Sequence, residues 1–215
     1  METQPGPRTV SVPPRRLAGW LEGFAERHGR PLAEPGPDRL VLRSPDGATA
    51  AIRLDWGPLP EAADPLVAVV AAVTRPRLVG VLIVRRQAHA VGVFEGDTML
   101  AGRHGSHYVQ GRTKAGGWSQ QRYARRRANQ TGRSFDAAAA DAASVLLPEA
   151  DRLEALATGG DRAAVEAVLA HPGLERLAGG LRRLGTFAVR DPNAGVLREF
   201  PAVFRQVSIE LNELA

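Results

Sequence analysis

The sequence predicts an α/β protein with a mixed sheet flanked by helices and a small N-terminal layer of one helix and one β-hairpin. Two patterns support this fold class. Strand-like and helix-like segments alternate in the second half of the chain, which is typical of an α/β domain. Three strand-like segments between residues 77 and 104 follow one another across short turns, which indicates a meander of neighbouring strands.

The N-terminal layer is predicted from local signals. Its helix is expected to begin after Pro13 and Pro14 and to end at Gly29. Four apolar residues in it follow the i, i+3, i+4, i+7 spacing of an amphipathic helix: Leu17, Trp20, Leu21 and Phe24. RLVLRS and TAAIRLDW, separated by PDGA, predict the hairpin. We expect residues 1–8 to be a disordered tail and residues 30–38 a connector, and we assign residues 1–60 to this layer.

A helix and the meander are predicted next. Residues 59–76, LPEAADPLVAVVAAVTRP, favour a helix ended by Pro76, although their valines also suit a strand. RLVGVLIVRR, residues 77–86, is a continuous apolar run typical of a fully buried strand. Residues 88–94 and 98–104 are expected to be two further strands, joined by a turn at residues 95–97.

The rest of the chain alternates helices and strands. A helix is predicted from Ser119 through the Ala-rich segment to near Pro148, and Gly132 is expected to kink or break it. Shorter elements follow in chain order: a buried strand at 152–160, a helix capped by Asp161, a short helix at 174–181 and a strand at 186–191. Residues 203–214 suit a strand or a helix, and their β-branched residues favour a strand. We assign residues 61–215 to the second domain.

Composition excludes several classes of protein. The chain is 44% hydrophobic and 24% charged, as is usual for a globular protein. It has no cysteine, hence no disulfide or thiolate nucleophile, and His104 and His107 have no third ligand nearby in sequence, so no metal site is predicted. No signal peptide, cofactor motif, P-loop or nucleophile elbow is recognisable, and the apolar run at 65–73 is too short to span a bilayer. We expect a cytoplasmic protein without cofactor or membrane contact.

The most strongly basic stretch of the chain is residues 111–133, GRTKAGGWSQQRYARRRANQTGR. They contain no acidic residue and these basic ones: Arg112, Lys114, Arg122, Arg125, Arg126, Arg127 and Arg133. Asp and Glu are absent from residue 98 to residue 135, whereas residues 136–175 are acidic. A basic stripe on a balanced chain is typical of a protein that binds a polyphosphate such as RNA. The alternative, a solvated helix face, usually carries charges of both signs.

The glycines and glutamines within this stretch suggest chemistry as well as binding. Gly116 and Gly117 allow positive φ angles and close approach of the backbone to a ligand. Arg112 and Lys114 precede them, so that cations on both sides can hold phosphates. A glutamine amide is neither acid nor base at neutral pH, but it can orient a water and donate to an oxygen on which charge develops. The stretch is therefore suited to position a water beside an RNA end.

The string GGWSQQRYAR, residues 116–125, resembles the motif of eukaryotic and archaeal class-one release factors. Those proteins carry GGQ followed by Ser and a helix with Arg, aromatic and Arg residues. The closer resemblance is to the actinobacterial branch of the Vms-like release factor family (VLRF), which shares VQGRTKAGGWSQQRYARRR at nearly every residue. VGVLIVRR and AVGVFEG before the motif and GGDRAAVEAVLAHPGLERLA after it extend the resemblance to roughly residues 60–195.

The resemblance implies a release-factor catalytic domain that hydrolyses peptidyl-tRNA on stalled ribosomes or large subunits. Its implied partners are peptidyl-tRNA and large-subunit ribosomal RNA. Trp118 occupies the position of the glutamine in GGQ. Members of the Vms-like family carry their catalytic glutamine in a Gly-Gly-Ser-Gln arrangement, which Gln120 matches if one residue is inserted. Gln120 is therefore the first candidate and Gln121 the second. The catalytic candidates are Gln120, Gln121, Gly116 and Gly117. The RNA-binding candidates are Arg112, Lys114, Trp118, Arg122, Arg125, Arg126 and Arg133.

Two other functions are compatible with the same residues. A nuclease that cuts tRNA near its 3′ end would use the same docking and release the same peptide. A non-catalytic ribosome-binding protein would need the arginines but not the glutamines. The position of the cleaved bond separates the first alternative from ester hydrolysis, and glutamine substitution separates the second.

Overall fold

The computed structural model describes residues 8–85, 88–106 and 119–215, and for residues 119–131 it describes the backbone alone. The strands of this part are β1 (Arg8–Val12), β2 (Leu32–Pro35), β3 (Arg39–Arg43), β4 (Thr49–Arg53), β5 (Leu78–Arg85), β6 (Ala88–Glu95), β7 (Thr98–Ser106), β8 (Ala155–Gly160), β9 (Arg182–Phe187) and β10 (Val207–Leu211). Its helices are α1 (Leu17–His28), α2 (Pro65–Thr74), α3 (Ser119–Leu146), α4 (Arg162–Leu169), α5 (Glu175–Gly179), α6 (Ala194–Glu199) and α7 (Pro201–Phe204).

The elements group into two compact units, and the predicted α/β class with a mixed sheet is confirmed. Unit 1 comprises the chain up to Arg75 together with Arg205–Ala215, and unit 2 comprises Pro76–Phe204. This division does not coincide with the expected boundary after residue 60. The difference arises because α2 and β10 both pack into the core of unit 1.

Unit 1 is built on an antiparallel sheet with the strand order β1-β10-β4-β3-β2. Alternate residues of β3, β4 and β10 are buried, as expected for a sheet with one covered face. Leu17, Leu21 and Phe24 of α1 pack on that face against Leu42 and Ile52. The predicted helix and hairpin are therefore confirmed, and the spacing of apolar residues on α1 is what places them on the sheet.

Two predictions for the N-terminal segment are wrong. Arg8, expected in the disordered tail, begins β1, and the expected connector at residues 30–38 contains β2. Both strands lie at edges of the sheet and have mostly exposed side chains. These two strands are held by backbone pairing with β10 and with β3. Because they bury few side chains, their sequences show little of the alternation by which a strand is recognised.

Unit 2 is built on a mixed sheet with the strand order β7-β6-β5-β8-β9. β5, β6 and β7 are antiparallel neighbours, which confirms the predicted meander, whereas β8 and β9 run parallel to β5. All residues of β5 except Arg85 are buried. β5 lies at the centre of the sheet, which explains its continuous apolar sequence.

Helices cover the buried faces of this sheet. α3, α4 and α5 contribute to one apolar cluster with β5 and β6, including Leu82 and Val91. A second cluster is aromatic and joins the sheet to α6 and α7. In it Phe94 and Phe204 pack edge to face with ring centroids 6.5 Å apart, and Phe200 lies 5.5 Å from Phe204.

The helices and strands of unit 2 follow the sequence signals with two exceptions. Asp161 caps α4 as predicted, through hydrogen bonds from the amides of Ala163 and Ala164. The predicted break at Gly132 is wrong, because α3 is continuous from residue 119 to residue 146. β9 begins four residues earlier than expected, because pairing with β8 determines which residues form this strand. The hydroxyl of Thr158 in β8 also donates a hydrogen bond to the carbonyl of Gly185 in β9.

Candidate functional site

The basic stretch lies where the sheet of unit 2 leads into its longest helix. β7 ends at Ser106 and α3 begins at Ser119. Five candidates fall between these two residues and lie outside the described residues: Arg112, Lys114, Gly116, Gly117 and Trp118, and so does His107. Five more belong to α3, where their backbone is described and their side chains lie outside the described part: Gln120, Gln121, Arg122, Arg125 and Arg126. Their roles stay predictions.

Gln120 and Gln121 both lie in the first turn of α3. The first backbone N–H groups of a helix have no intrahelical acceptor, and the macrodipole makes this end positive. An anion, or an oxygen on which negative charge develops, is therefore favoured at this end. The first turn contains no acidic residue, so none of its side chains neutralises the positive end.

The first turn of α3 carries a cation, the sign of charge that the helix dipole disfavours at this end. Arg122 closes the first turn and Arg125 and Arg126 follow in the second, whereas the acidic residues Asp136 and Asp141 come later. A cation in the first turn is disfavoured by about 0.3–1 kcal/mol. The position of Arg122 is therefore not explained by the stability of the helix.

Arg133 has a described side chain, and that side chain is exposed. It forms no ion pair with any other described residue. The next residue, Ser134, is buried, and from there α3 packs through Ala138, Ala142 and Leu146. Arg133 thus lies immediately before the packed part of α3 in sequence, at the end of the segment that contains the predicted RNA-binding residues.

A polar anchor within the packed part fixes α3 to the sheet. Asp141 of α3 accepts a hydrogen bond from His89 Nε2 of β6 at 2.8 Å and another from Arg103 Nη1 of β7 at 3.3 Å. His89 is only 2% exposed. The sequence analysis did not identify this anchor. The available signal was a lone histidine inside an apolar strand, which by itself does not name its partner.

Gly105 makes room for this anchor. It lies opposite His89 in the register of β6 and β7. A Cβ atom at position 105 would lie 2.6 Å from His89 Cε1, closer than carbon atoms approach without strain. The glycine therefore permits the imidazole to lie against the backbone of β7 and reach Asp141.

The charge state of Asp141 is set by its surroundings. Burial raises the pKa of its carboxyl group, but hydrogen bonds from His89 and Arg103, with the charges of these partners, outweigh burial and hold the pKa below its usual value. Asp141 is thus ionised near neutral pH. Because a carboxylate can only accept hydrogen bonds, His89 must carry a proton on Nε2.

A second glycine pair, Gly159 and Gly160, precedes α4 but has a structural reason. Gly160 has a φ of +91°, and a Cβ atom there would lie 2.2 Å from the carbonyl oxygen of Val84. The amides at the start of α4 are occupied by the side chain of Asp161, at 2.9 Å from Ala163 N. These amides are therefore not available to a phosphate.

His104 lies on β7 with an exposed side chain. Within the described ranges, no group of three or more His, Asp or Glu residues is arranged to hold a metal ion.

The sequence matches the family model of the Actinobacteria/chloroflexi VLRF1 release factor over residues 77–210. This match covers more than half of the chain. The chain belongs to this family. The resemblance noted in the sequence is confirmed at family level, and a translation-related role follows from the membership. Nearly all of unit 2 lies within the matched region, together with the start of β10.

Two solved structures of archaeal proteins are similar to this family member. One is the crystal structure of archaeal translation termination factor, aRF1, at 16% identity and a TM-score of 0.43, covering 76% of this chain and 50% of that chain. The other is described as an archaeal protein, at 15% identity and a TM-score of 0.39, covering 89% of this chain and 62% of that chain. This chain therefore spans half the length of the first and less than two thirds of the second.

Among curated proteins, no sequence matches this family member. Of the helices in the described part of the chain, none has the length and apolar character needed to cross a membrane.

Proposed function

We propose that this protein hydrolyses the ester of peptidyl-tRNA and releases nascent chains from stalled ribosomes or large subunits. The observation that carries the proposal is its membership in a release factor family, combined with two glutamines in the first turn of α3 directly after a Gly-Gly-containing segment. Gln120 is the first candidate for the catalytic glutamine and Gln121 the second.

In the proposed reaction a water oxygen forms a bond to the ester carbonyl carbon. The bond between that carbon and the ribose oxygen then breaks, and the peptide leaves with a new carboxylate. One proton of the water is transferred to the ribose oxygen, which becomes a hydroxyl group, and the other proton is released to solvent. The glutamine amide orients the water and donates to the oxygen on which negative charge develops. The positive end of α3 favours the same charge.

The remaining candidates of the motif have binding roles in this proposal. Gly116 and Gly117 allow the backbone to approach the tRNA end closely. Trp118 stacks on a terminal base or on ribosomal RNA. The phosphates are held by the basic residues of the stretch: Arg112, Lys114, Arg122, Arg125, Arg126 and Arg133. The position of Arg122 in the first turn of α3 supports this assignment, because the helix dipole disfavours a cation there.

The test is peptide release from purified stalled large subunits that carry labelled peptidyl-tRNA. We expect Gln120→Ala to lower the release rate by about 10²–10³-fold, which is typical for loss of an oxyanion donor. Gln130→Ala is the matched control, because it removes a glutamine of the same helix away from the first turn. Gln121→Ala is compared in parallel, and the loss is expected in one of the two first-turn variants.

The tRNA 3′ end is analysed in the same samples. Intact tRNA after release is the expected product of ester hydrolysis. Shortened tRNA would overturn the proposal in favour of a nuclease. Release that survives in both glutamine variants but is lost on charge reversal of Arg125 and Arg126 would leave the binding-protein alternative.

A further inference from the structure

Unit 1 contains a groove that the proposed hydrolysis does not use. It is open to solvent, with a volume of about 570 Å³, and it is formed by the end of β1, Pro13 and the first turns of α1. Its lining includes two arginines, an indole, a hydroxyl group and a glycine: Arg15, Arg16, Trp20, Ser11 and Gly19.

The two arginines of the groove have exposed side chains without a partner. Neither Arg15 nor Arg16 forms an ion pair or a side-chain hydrogen bond with any residue that the structure describes. Other arginines of the same unit are paired with carboxylates: Arg39 with Asp38, Arg43 with Glu34 at 3.0 Å and Arg53 with Asp55 at 2.7 Å. Unpaired cations beside a groove attract an anionic ligand.

The elements around the groove add no negative charge. Residues 8–21 contain no Asp or Glu. β1 pairs at this end with Val207 and Ser208 of β10, which are neutral. α2, which packs on the turn at Pro14–Arg16, has no charged residue. The positive charge of the two arginines is therefore not compensated along these walls.

Trp20 supplies an aromatic surface with a fixed orientation. Its ring is stacked on Phe24, with centroids 5.4 Å apart and an interplanar angle of 16°, and Phe24 is buried in the core. Trp20 itself is partly exposed and lines the groove. Proteins bind single-stranded nucleic acid with a combination of this kind, in which arginines hold the phosphates and a neighbouring aromatic ring packs against a base.

We infer that this groove binds a single-stranded RNA segment, with phosphates at Arg15 and Arg16 and a base against Trp20. The site lies in unit 1 and is separate in sequence from the basic stretch at residues 111–133. The choice of RNA among polyanions rests on the proposed function. The aromatic ring favours a nucleic acid over an acidic peptide, which offers charge without bases.

The test measures affinity of the full chain for a short unstructured RNA by fluorescence anisotropy over a range of salt concentrations. We expect Arg15→Gln/Arg16→Gln to weaken binding about tenfold and to reduce the slope of log affinity against log salt by about 1.4, or roughly 0.7 for each lost phosphate contact. Arg43→Gln/Arg53→Gln is the matched control, because it removes the same charge from paired arginines of the same unit.

A second variant narrows the groove without a change of charge. A Cβ atom at Gly19 would meet no atom within 4 Å, so Gly19→Ala places a methyl group in the groove without strain. We expect weaker RNA binding with an unchanged or higher melting temperature. Gly23→Ala, one turn further along α1 and outside the groove lining, is expected to leave RNA affinity unchanged.

Equal losses in the two double-arginine variants would overturn the inference, because they would show a general charge effect. Unchanged affinity in Arg15→Gln/Arg16→Gln would overturn it as well. An acidic peptide of matched charge is the second probe, and a stronger dependence of peptide binding on the two arginines would assign the groove to a protein partner. Hydrolysis by Gln120 variants is scored separately, so failure of either proposal is recognised independently.

Discussion

Asp141 is the residue through which α3 is tied to two strands at once. His89 donates to it from β6 and Arg103 from β7, and the other ring nitrogen of His89 is buried without a partner among the described residues. The carboxylate is therefore the polar partner that compensates burial of this imidazole. Asp141 takes no part in the proposed chemistry, and we regard it as a positioning residue for the helix that carries the predicted RNA-binding residues.

We expect Asp141→Ala to lower the free energy of unfolding by about 1–3 kcal/mol, because the Nε2–H of His89 would be left buried and unpaired. Asp141→Asn is expected to lower it less, since the amide oxygen still accepts a hydrogen bond. Urea denaturation at neutral pH measures both. Wild-type stability in Asp141→Ala would contradict the assignment.

The same carboxyl group predicts a pH dependence. Its pKa is lower in the folded protein than in the unfolded chain, where it is about 4. Its contribution is therefore fully present above pH 4 and is lost as the pH falls through the folded-state pKa. The stability difference between wild type and Asp141→Asn should be constant near neutrality and shrink in acid, as urea titrations at several pH values would show. A difference that grows in acid would refute this.

At the scale of elements, α3 is notable for its continuity. It runs for 28 residues, about 42 Å, and passes through Gly132 without a break. A Cβ atom at Gly132 would have no neighbour within 4 Å, so packing does not require a glycine there. Residues on both sides of it belong to one helix, which connects the predicted catalytic turn to the anchor at Asp141.

We expect Gly132→Ala to raise the free energy of unfolding by about 0.5–1 kcal/mol, because alanine loses less backbone entropy in a helix. Thermal and urea denaturation measure the change. Gly160→Ala serves as the contrast, since its positive φ and the nearby Val84 carbonyl predict destabilisation. A destabilised Gly132→Ala variant would indicate that α3 needs the glycine.

How well sequence predicted each element depended on how local its cause is. β5 is a continuous apolar run and Asp161 lies directly before α4, so both were recognisable. β1 and β9 depend on partner strands elsewhere in the chain, and their own residues carry little pattern. At the candidate site, the motif was recognisable from its residue types and their spacing, and its catalytic assignments remain predictions. The His89–Asp141 anchor joins residues far apart in sequence, which no local pattern reveals.

At the scale of the molecule, unit 1 is closed by a strand that follows unit 2 in the chain. Ile209 of β10 is fully buried and lies between Val10 of β1 and Ile52 of β4. The sheet of unit 1 therefore depends on pairing between segments separated by nearly the whole sequence, whereas all five strands of unit 2 lie between Leu78 and Phe187.

We expect Ile209→Ala to lower the free energy of unfolding of unit 1 by about 2–5 kcal/mol, through the cavity left by the deleted side chain. Hydrogen exchange should increase in β1 and β4, on both sides of the substitution, although both are remote in sequence. Ile83→Ala, at a fully buried position of β5, is the control and should increase exchange in β6 and β8 instead. Changes confined to residues next to 209 would contradict the sheet order.

The placement of β10 between β1 and β4 also fixes the order in which the protein is completed during synthesis. Chains are made from the N-terminus, and domains fold as their residues emerge. Unit 2 has every strand of its sheet once residue 187 is available, but unit 1, begun first, still lacks an internal strand until residue 211. A nascent chain that includes Phe204 but not yet Leu211 would expose the unpaired edges of β1 and β4, and so would present chaperones and proteases with one finished unit and one unfinished one.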